Sequence, residues 1–330
     1  MNNVFKPLNM TTLFTTRRKH FTELLMHGQK LSVALALMGF LHAGESLAQQ
    51  DVLTGQYLFN GLLINPAYAG ASGSWETMAM QRLQWVDFDG APNTGIMSAH
   101  GALANNELGV GGMLALDAIG VTSTFELSGH AAYHLDMGES DLSFGLRGGL
   151  LQYRAQLHEV DVIDPLDPVY QGTQLSAWVP RFGFGALFQR KSWFVGLSTP
   201  MLFVFDKALD GGISPYYRNH LYLQGGMNLK PNSWLNLSPS VLFRSTPDLP
   251  SILDLNLVAT VSEAYTLGVG YRTGSSFTLI TQFRISNQFR IGYTRDFTAT
   301  DIRSYAGGTH EIVLGWDLNP RSQPQMPLGM

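Results

Sequence analysis

The 330-residue chain has a net charge of −4 and only 14% charged residues, while aromatics reach 11%, glycines number 35 and cysteine is absent. That charged fraction lies well under the roughly 25% of a soluble globular domain, the negative balance argues against a nucleic-acid partner, and the lack of cysteine excludes disulfide staples and a lipoprotein anchor thiol. A mean hydropathy of +0.02 is too low for a helical membrane bundle, and beyond the N-terminal segment no apolar run approaches the roughly 20 residues a spanning helix needs.

The first element is a targeting segment. Arg17, Arg18, Lys19 and Lys30 precede the apolar run Leu31 to Leu41, and Ser46, Leu47 and Ala48 supply the small residues of a cleavage site before Gln49. Residues 1–48 therefore read as a signal peptide, since the apolar run is too short for a membrane anchor. Residues 49–73 show neither a two-residue nor a 3.6-residue period, and read as an ordered lead-in that begins on the periplasmic side, as a brace or a plug segment.

From Ser74 to Leu318 the chain is a succession of strand-length segments. Leu142, Phe144, Leu146 and Leu150 alternate with Ser143, Gly145, Arg147 and Gly149; Ile312, Leu314, Trp316 and Leu318 alternate with Glu311, Val313, Gly315 and Asp317. Such a dyad, with export and no membrane helix, predicts an all-β fold, a transmembrane antiparallel β-barrel, against the alternative of a soluble sandwich. About fourteen segments can be counted, near 74–84, 93–103, 107–117, 121–135, 141–154, 178–189, 192–199, 217–230, 233–244, 251–262, 264–273, 275–284, 286–296 and 309–318. Ile280 falls on the polar face of its segment. The long connections, 85–92, 156–177, 200–216, 245–250 and 297–308, all come after odd-numbered segments, as outer loops must when the N-terminus is periplasmic. The barrel thus spans 74–318, with a polar tail after it at 319–330.

Candidate sites are sparse. Neither a nucleophile elbow nor a phosphate loop occurs, and His100, His130, His134 and His220 are scattered over three segments without forming a constellation, so no enzyme is expected. Asp161, Asp164 and Asp167 lack the spacing of a calcium loop and read as a solvated acidic loop with no metal. The paired glycines Gly111-Gly112 and Gly148-Gly149 read as easing curvature or interior crowding. Glu126, Arg147, Arg154, Lys230, Arg284 and Arg290 read as inward charges that line the lumen or grip a partner there, with Arg147, Arg154, His220 and Arg290 as the candidate lumen contacts. Trp193, Tyr271 and Trp316 read as interface girdle residues.

Collinear short motifs carry a family resemblance. Gln56-Tyr57-Leu58-Phe59-Asn60 and Leu63-Ile64-Asn65-Pro66-Ala67-Tyr68-Ala69-Gly70 open it, with Arg82, Gln84-Trp85-Val86 and Phe88-Asp89-Gly90-Ala91-Pro92 next. Tyr217-Arg218-Asn219-His220, Leu253-Asp254-Leu255-Asn256, Arg290-Ile291-Gly292-Tyr293 and His310-Glu311-Ile312 continue it in order. The chain resembles the PorP/SprF family of type IX secretion system outer-membrane proteins. The resemblance implies a barrel that serves protein secretion, surface attachment of exported proteins or adhesins through their C-terminal domains and, in some members, gliding motility. It implies periplasmic ring and lipoprotein components as partners, and outer-membrane lipid as surroundings, with no cofactor. On this reading Gln56, Tyr57, Asn60, Asn65, Pro66, Ala67, Tyr68 and Gly70 are a plug or periplasmic contact, and Gln84, Trp85, Asp89, Gly90 and Pro92 an outer-loop signature. A solute channel is the alternative.

Overall fold

The computed structural model describes residues 54–103, 106–157, 174–202, 219–247, 249–300 and 307–318. Residues 1–48, read as a signal peptide, the segment expected to carry Asp161, Asp164 and Asp167 in a solvated loop, and residues 319–330 lie outside the described residues.

Among those residues, fourteen strands close into one ring. The first seven are β1 (Glu76–Leu83), β2 (Asn93–Leu103), β3 (Leu108–Ile119), β4 (Thr122–Asp136), β5 (Ser140–Gln156), β6 (Gln174–Arg190) and β7 (Trp193–Thr199). The other seven are β8 (Leu221–Met227), β9 (Leu235–Thr246), β10 (Leu249–Val261), β11 (Tyr265–Arg272), β12 (Ser276–Arg284), β13 (Phe289–Thr298) and β14 (Thr309–Asp317). Every strand pairs antiparallel with its sequence neighbours, and β1 closes on β14 with Glu76 opposite Asp317 and Leu83 opposite His310. Closure joins the first strand to the last, so the sheet has no terminal edge strand, which is what a sheet in hydrocarbon requires.

The two-residue alternation decides which side chains meet lipid. Leu127, Leu146, Leu150, Leu267, Val269, Ile291, Ile312 and Leu314 point outward and are exposed, whereas Glu126, Arg147, Thr266, Arg290, Glu311 and Asp317 point inward and are buried. Aromatics cluster at the two levels where the wall leaves hydrocarbon. Tyr265–Phe283 and the stacked Phe289–Trp316 pair mark the inner level, Tyr271–Phe277 the outer, as amphipathic girdles do. Trp193, against Phe188, joins the inner level.

Three expectations need correction. Residues 245–250 form no long loop: β9 runs to Thr246 and β10 begins at Leu249, so the pair ends in a tight hairpin, while 228–234 on the opposite rim is the longer connection. Four long connections, at 84–92, 157–173, 200–220 and 299–308, still share one rim, which we take as the outer one. Arg154 faces outward, because an odd separation from Arg147 cannot keep both on one face of the same strand. Lys230 lies beyond the end of β8 and is exposed rather than luminal.

The lead-in lies inside the ring. Gly55 sits beside Glu311, two residues from the outer end of β14, and Gly70 beside His100 and Gly109 near the inner ends of β2 and β3. Its described part therefore descends from the outer half of the lumen to the inner rim; residues 49–53, where the lead-in is expected to begin on the periplasmic side, lie outside the described residues. Trp75 then covers Gly101 and the chain turns into β1.

Candidate functional site

Two asparagines shape the lead-in. Asn60 and Asn65 each precede a single 3-10 turn, Gly61–Leu63 and Pro66–Tyr68, and each side-chain carbonyl accepts the backbone N–H two residues on, from Leu62 at 3.1 Å and Ala67 at 2.9 Å. Pro66 presets the helical φ at the first position of the second turn and has no N–H to satisfy. Gly70 ends the unit at φ +72°, a conformation L side chains avoid. The carbonyl half of each asparagine thus holds the local turn, which leaves the amide half free to reach the barrel.

Both amides do so. Asn60 Nδ2 donates to Ser98 Oγ at 2.7 Å, and Asn65 Nδ2 to the Ala186 carbonyl at 3.1 Å. Around the ring, Gln56 Nε2 donates to Thr294 Oγ1 at 2.8 Å, Asn256 Nδ2 to Tyr57 Oη at 2.8 Å, Ser198 Oγ to the Ile64 carbonyl at 2.7 Å, and Gln224 Nε2 to Tyr68 Oη at 3.0 Å. His134 Nε2 lies 2.9 Å from the Ala69 carbonyl. A carbonyl only accepts, so this nitrogen carries the proton and Nδ1 accepts from Ser143 Oγ at 2.7 Å. Burial raises both tyrosine hydroxyls above the ordinary tyrosine range, so Tyr57 and Tyr68 stay neutral.

Apolar and steric fit complete the seal. Tyr57, Leu58, Phe59 and Ile64 bury themselves against the inward Tyr222, Leu242, Val258 and Ile280, which explains why Ile280 breaks the polar pattern of its strand. Inward glycines make the space for the lead-in backbone. A Cβ on Gly109 would lie 1.7 Å from the Ala69 carbonyl oxygen, on Gly145 2.2 Å from Ala67 N, and on Gly185 2.0 Å from Asn65 Oδ1. These glycines sit on β3, β5 and β6, yet face a single segment of the lead-in, its backbone at Gly109 and Gly145 and the Asn65 side chain at Gly185.

The lumen charges are spent on one another. Arg82 pairs with Glu311 and, at 3.1 Å, with Asp296, and Glu311 Oε1 also accepts the Gly55 N–H at 3.2 Å. Arg147 and Arg181 share Glu126, and Arg290 and Arg272 pair with Asp317 and Asp254, each at 2.9 Å. Two predicted lumen contacts, Arg147 and Arg290, are thus bound to wall carboxylates, and His220 is buried against Thr246 at 2.7 Å. Sequence reasoning passed over the Arg82–Glu311–Asp296 cluster; its signal was that two of its members fall within the quoted motifs on inward positions.

The outer-loop signature forms a clasp over the closing seam. Gln84 N donates to the Pro92 carbonyl, Val86 exchanges backbone bonds with Gly307 and Gly308, and Gly120 N reaches the Gly90 carbonyl at 2.8 Å. Trp85 and Asp87 hold positive φ, and Phe88 and Asp89 are left exposed at the rim. The two motif blocks therefore lie at different places, one inside the lumen and one on its outer lip.

Substituting Asn65 by serine, which keeps an oxygen for the turn but loses the reach to Ala186, should lower unfolding stability by about 1–2 kcal/mol. Asn65→Asp should cost more, because it sets an uncompensated carboxylate against a carbonyl. Urea titration of the barrel in lipid vesicles measures both.

A closed β-barrel with an apolar outer wall, paired aromatic girdles and an interior occupied by its own N-terminal segment defines a plugged outer-membrane barrel. The sequence profile described as type IX secretion system membrane protein PorP/SprF matches residues 46–316, and the chain belongs to that family. No curated protein matches it. Among solved structures, the toluene transporter TbuX of Ralstonia pickettii is similar at 10% identity and a TM-score of 0.48, covering 84% of this chain and 97% of that one. The translocator domain of the autotransporter NalP from Neisseria meningitidis is similar at 10% identity and a TM-score of 0.41, covering 90% and 96%.

Proposed function

We propose that this barrel supports export and cell-surface attachment of cargo proteins or gliding adhesins, acting as a closed anchoring platform and not as an enzyme. In this reading the signal peptide is removed before Gln49, the cargo C-terminal domain docks on the outer rim, and periplasmic ring and lipoprotein components of the secretion system meet the inner rim. The observation that carries the reading is the lead-in, which fills the lumen and is hydrogen-bonded to strands all round the ring. A solute channel needs an open polar bore, whereas this bore turns its polar groups to the lead-in or to one another. The exposed Phe88 and Asp89, held on a clasp with strained φ, offer a fixed rim contact for cargo.

Crosslinked pull-down from outer membranes tests this. We expect a surface protein's C-terminal domain to co-purify, and Phe88→Ala with Asp89→Ala to reduce its recovery several-fold while the barrel stays folded. Normal surface display on deleting the gene, with altered solute uptake instead, would favour the channel.

A further inference from the structure

The outer wall is not apolar throughout. On β5 the outward row reads Leu142, Phe144, Leu146, Gly148 and Leu150, and then changes to Gln152 and Arg154. The register carries this change sideways: Arg154 lies opposite Ser123, Ala118 opposite Ser123 on the other side, and Asn93 opposite Ala118. One step lower, Gln152 lies between Phe125 and Trp178, and Gln81 lies opposite Gly95. Small outward residues, Gly95, Ala118 and Ser123, leave a hollow among larger neighbours. The result is a groove of about 610 Å³ on the outside of β1 to β6, close to their outer ends.

Its level and its chemistry agree. The outward surface turns from apolar to mixed and polar across it, with Leu127 and Leu150 below, Leu116 and Phe125 in its floor, and Asn93, Ser123 and Arg154 at its top beside Leu83, so it stands where lipid headgroups begin to replace acyl chains. Gln81 donates to Asn93, Gln152 Nε2 is 3.5 Å from Ser176 Oγ, and Trp178 is 55% exposed beside them. Arg154 is exposed and makes no ion pair among the described residues. Asp117 borders the groove but turns its carboxylate inward, where the Thr94 hydroxyl donates to it.

We propose that this groove binds the phosphorylated saccharide headgroup of an outer-leaflet glycolipid. The Arg154 guanidinium matches a phosphate. Carboxamides and Ser123 match sugar hydroxyls, the Trp178 indole matches a sugar face, and Leu127 and Leu150 below extend the site along acyl chains. Such a contact orients the barrel in the leaflet and leaves the rim free for cargo.

The test is native mass spectrometry of the full barrel, extracted from outer membranes in mild detergent and titrated with a bisphosphorylated disaccharide glycolipid. The intact protein should retain the lipid, and Arg154→Gln should weaken retention about tenfold or more, the scale of a charge-assisted phosphate contact. Arg295→Gln, which removes an outward cation on β13 away from the groove, should leave retention unchanged, and the dephosphorylated lipid should bind the intact protein weakly. Equal retention by Arg154→Gln, or equal loss in Arg295→Gln, would overturn the proposal, as would displacement of the lipid by inorganic phosphate at equal concentration. Heat-modifiable gel mobility, unchanged in both variants, establishes that a loss reflects binding and not misfolding.

Discussion

Replacing Gly109 by valine should detach the lead-in from the wall and open the bore. The added Cβ would fall 1.7 Å from the Ala69 carbonyl oxygen and 2.8 Å from His134 Nε2. Neither neighbour is a flexible side-chain end: one is backbone in a capped turn, and the other is the donor that holds that backbone in place. The collision therefore removes the His134 bond and disturbs the Gly70–His100 contact beside it. Overpacking of this kind costs about 3 kcal/mol at the upper end of its range. In planar bilayers the variant should conduct where the intact barrel does not, and its urea midpoint should fall. Gly148→Ala is the matched control, since a Cβ there points outward and meets nothing within 4 Å; it should change neither property. A Gly109 variant as stable and as closed as the parent would show that the lead-in does not bear on the wall there.

The second large effect is expected at Arg82. Its guanidinium stands between Glu311 and Asp296 with all three groups nearly inaccessible to solvent. Arg82→Ala would leave two carboxylates facing each other without a cation, and the loss of one partner of a buried ion pair typically costs about 3–5 kcal/mol. Because Glu311 also holds the Gly55 N–H, the outer end of the lead-in should loosen together with the β1–β14 seam. Limited proteolysis should then cut near Thr54 at lower protease concentration. The pair Arg190–Glu139 gives the contrast: both side chains are largely exposed, solvent and salt screen their attraction, and Arg190→Ala should leave the urea midpoint almost where it was.

The barrel was legible because its wall obeys a short-range rule. Alternation of period two depends only on which face meets lipid, so β2 and β14 can be placed almost to the residue from their own sequences. The tight β9–β10 hairpin was not legible, because Pro247 and Pro250 suggest a loop while β9 and β10 continue pairing to Thr246 and Leu249. Arg154 was misplaced for a related reason: an arginine in a barrel strand suggests the lumen, and only counting parity along β5 shows that it cannot share a face with Arg147.

The interior was harder to read. The asparagine-capped turns have a local signature, visible as Asn60-Gly61 and Asn65-Pro66. What fixes them inside the ring is non-local: glycines on β3, β5 and β6, apolar residues on β8, β9, β10 and β12, and hydrogen-bond partners spread over many strands. Each of these looks like noise within its own strand, a missing side chain or an isoleucine on the polar face. They become a pattern only once the strand order places them around one segment.

The most direct test of a barrel that works while closed is to lock the lead-in and ask whether the barrel still serves. The natural chain has no cysteine, so a pair introduced at Asn60 and Ser98, whose side chains meet at 2.7 Å, can be bridged selectively by a short bifunctional thiol reagent on living cells. We predict that surface display of the cargo protein continues at the level of the unbridged double variant. Display that stops on bridging and returns when a cleavable bridge is opened would contradict the account, because it would make the lumen a passage and the lead-in its gate.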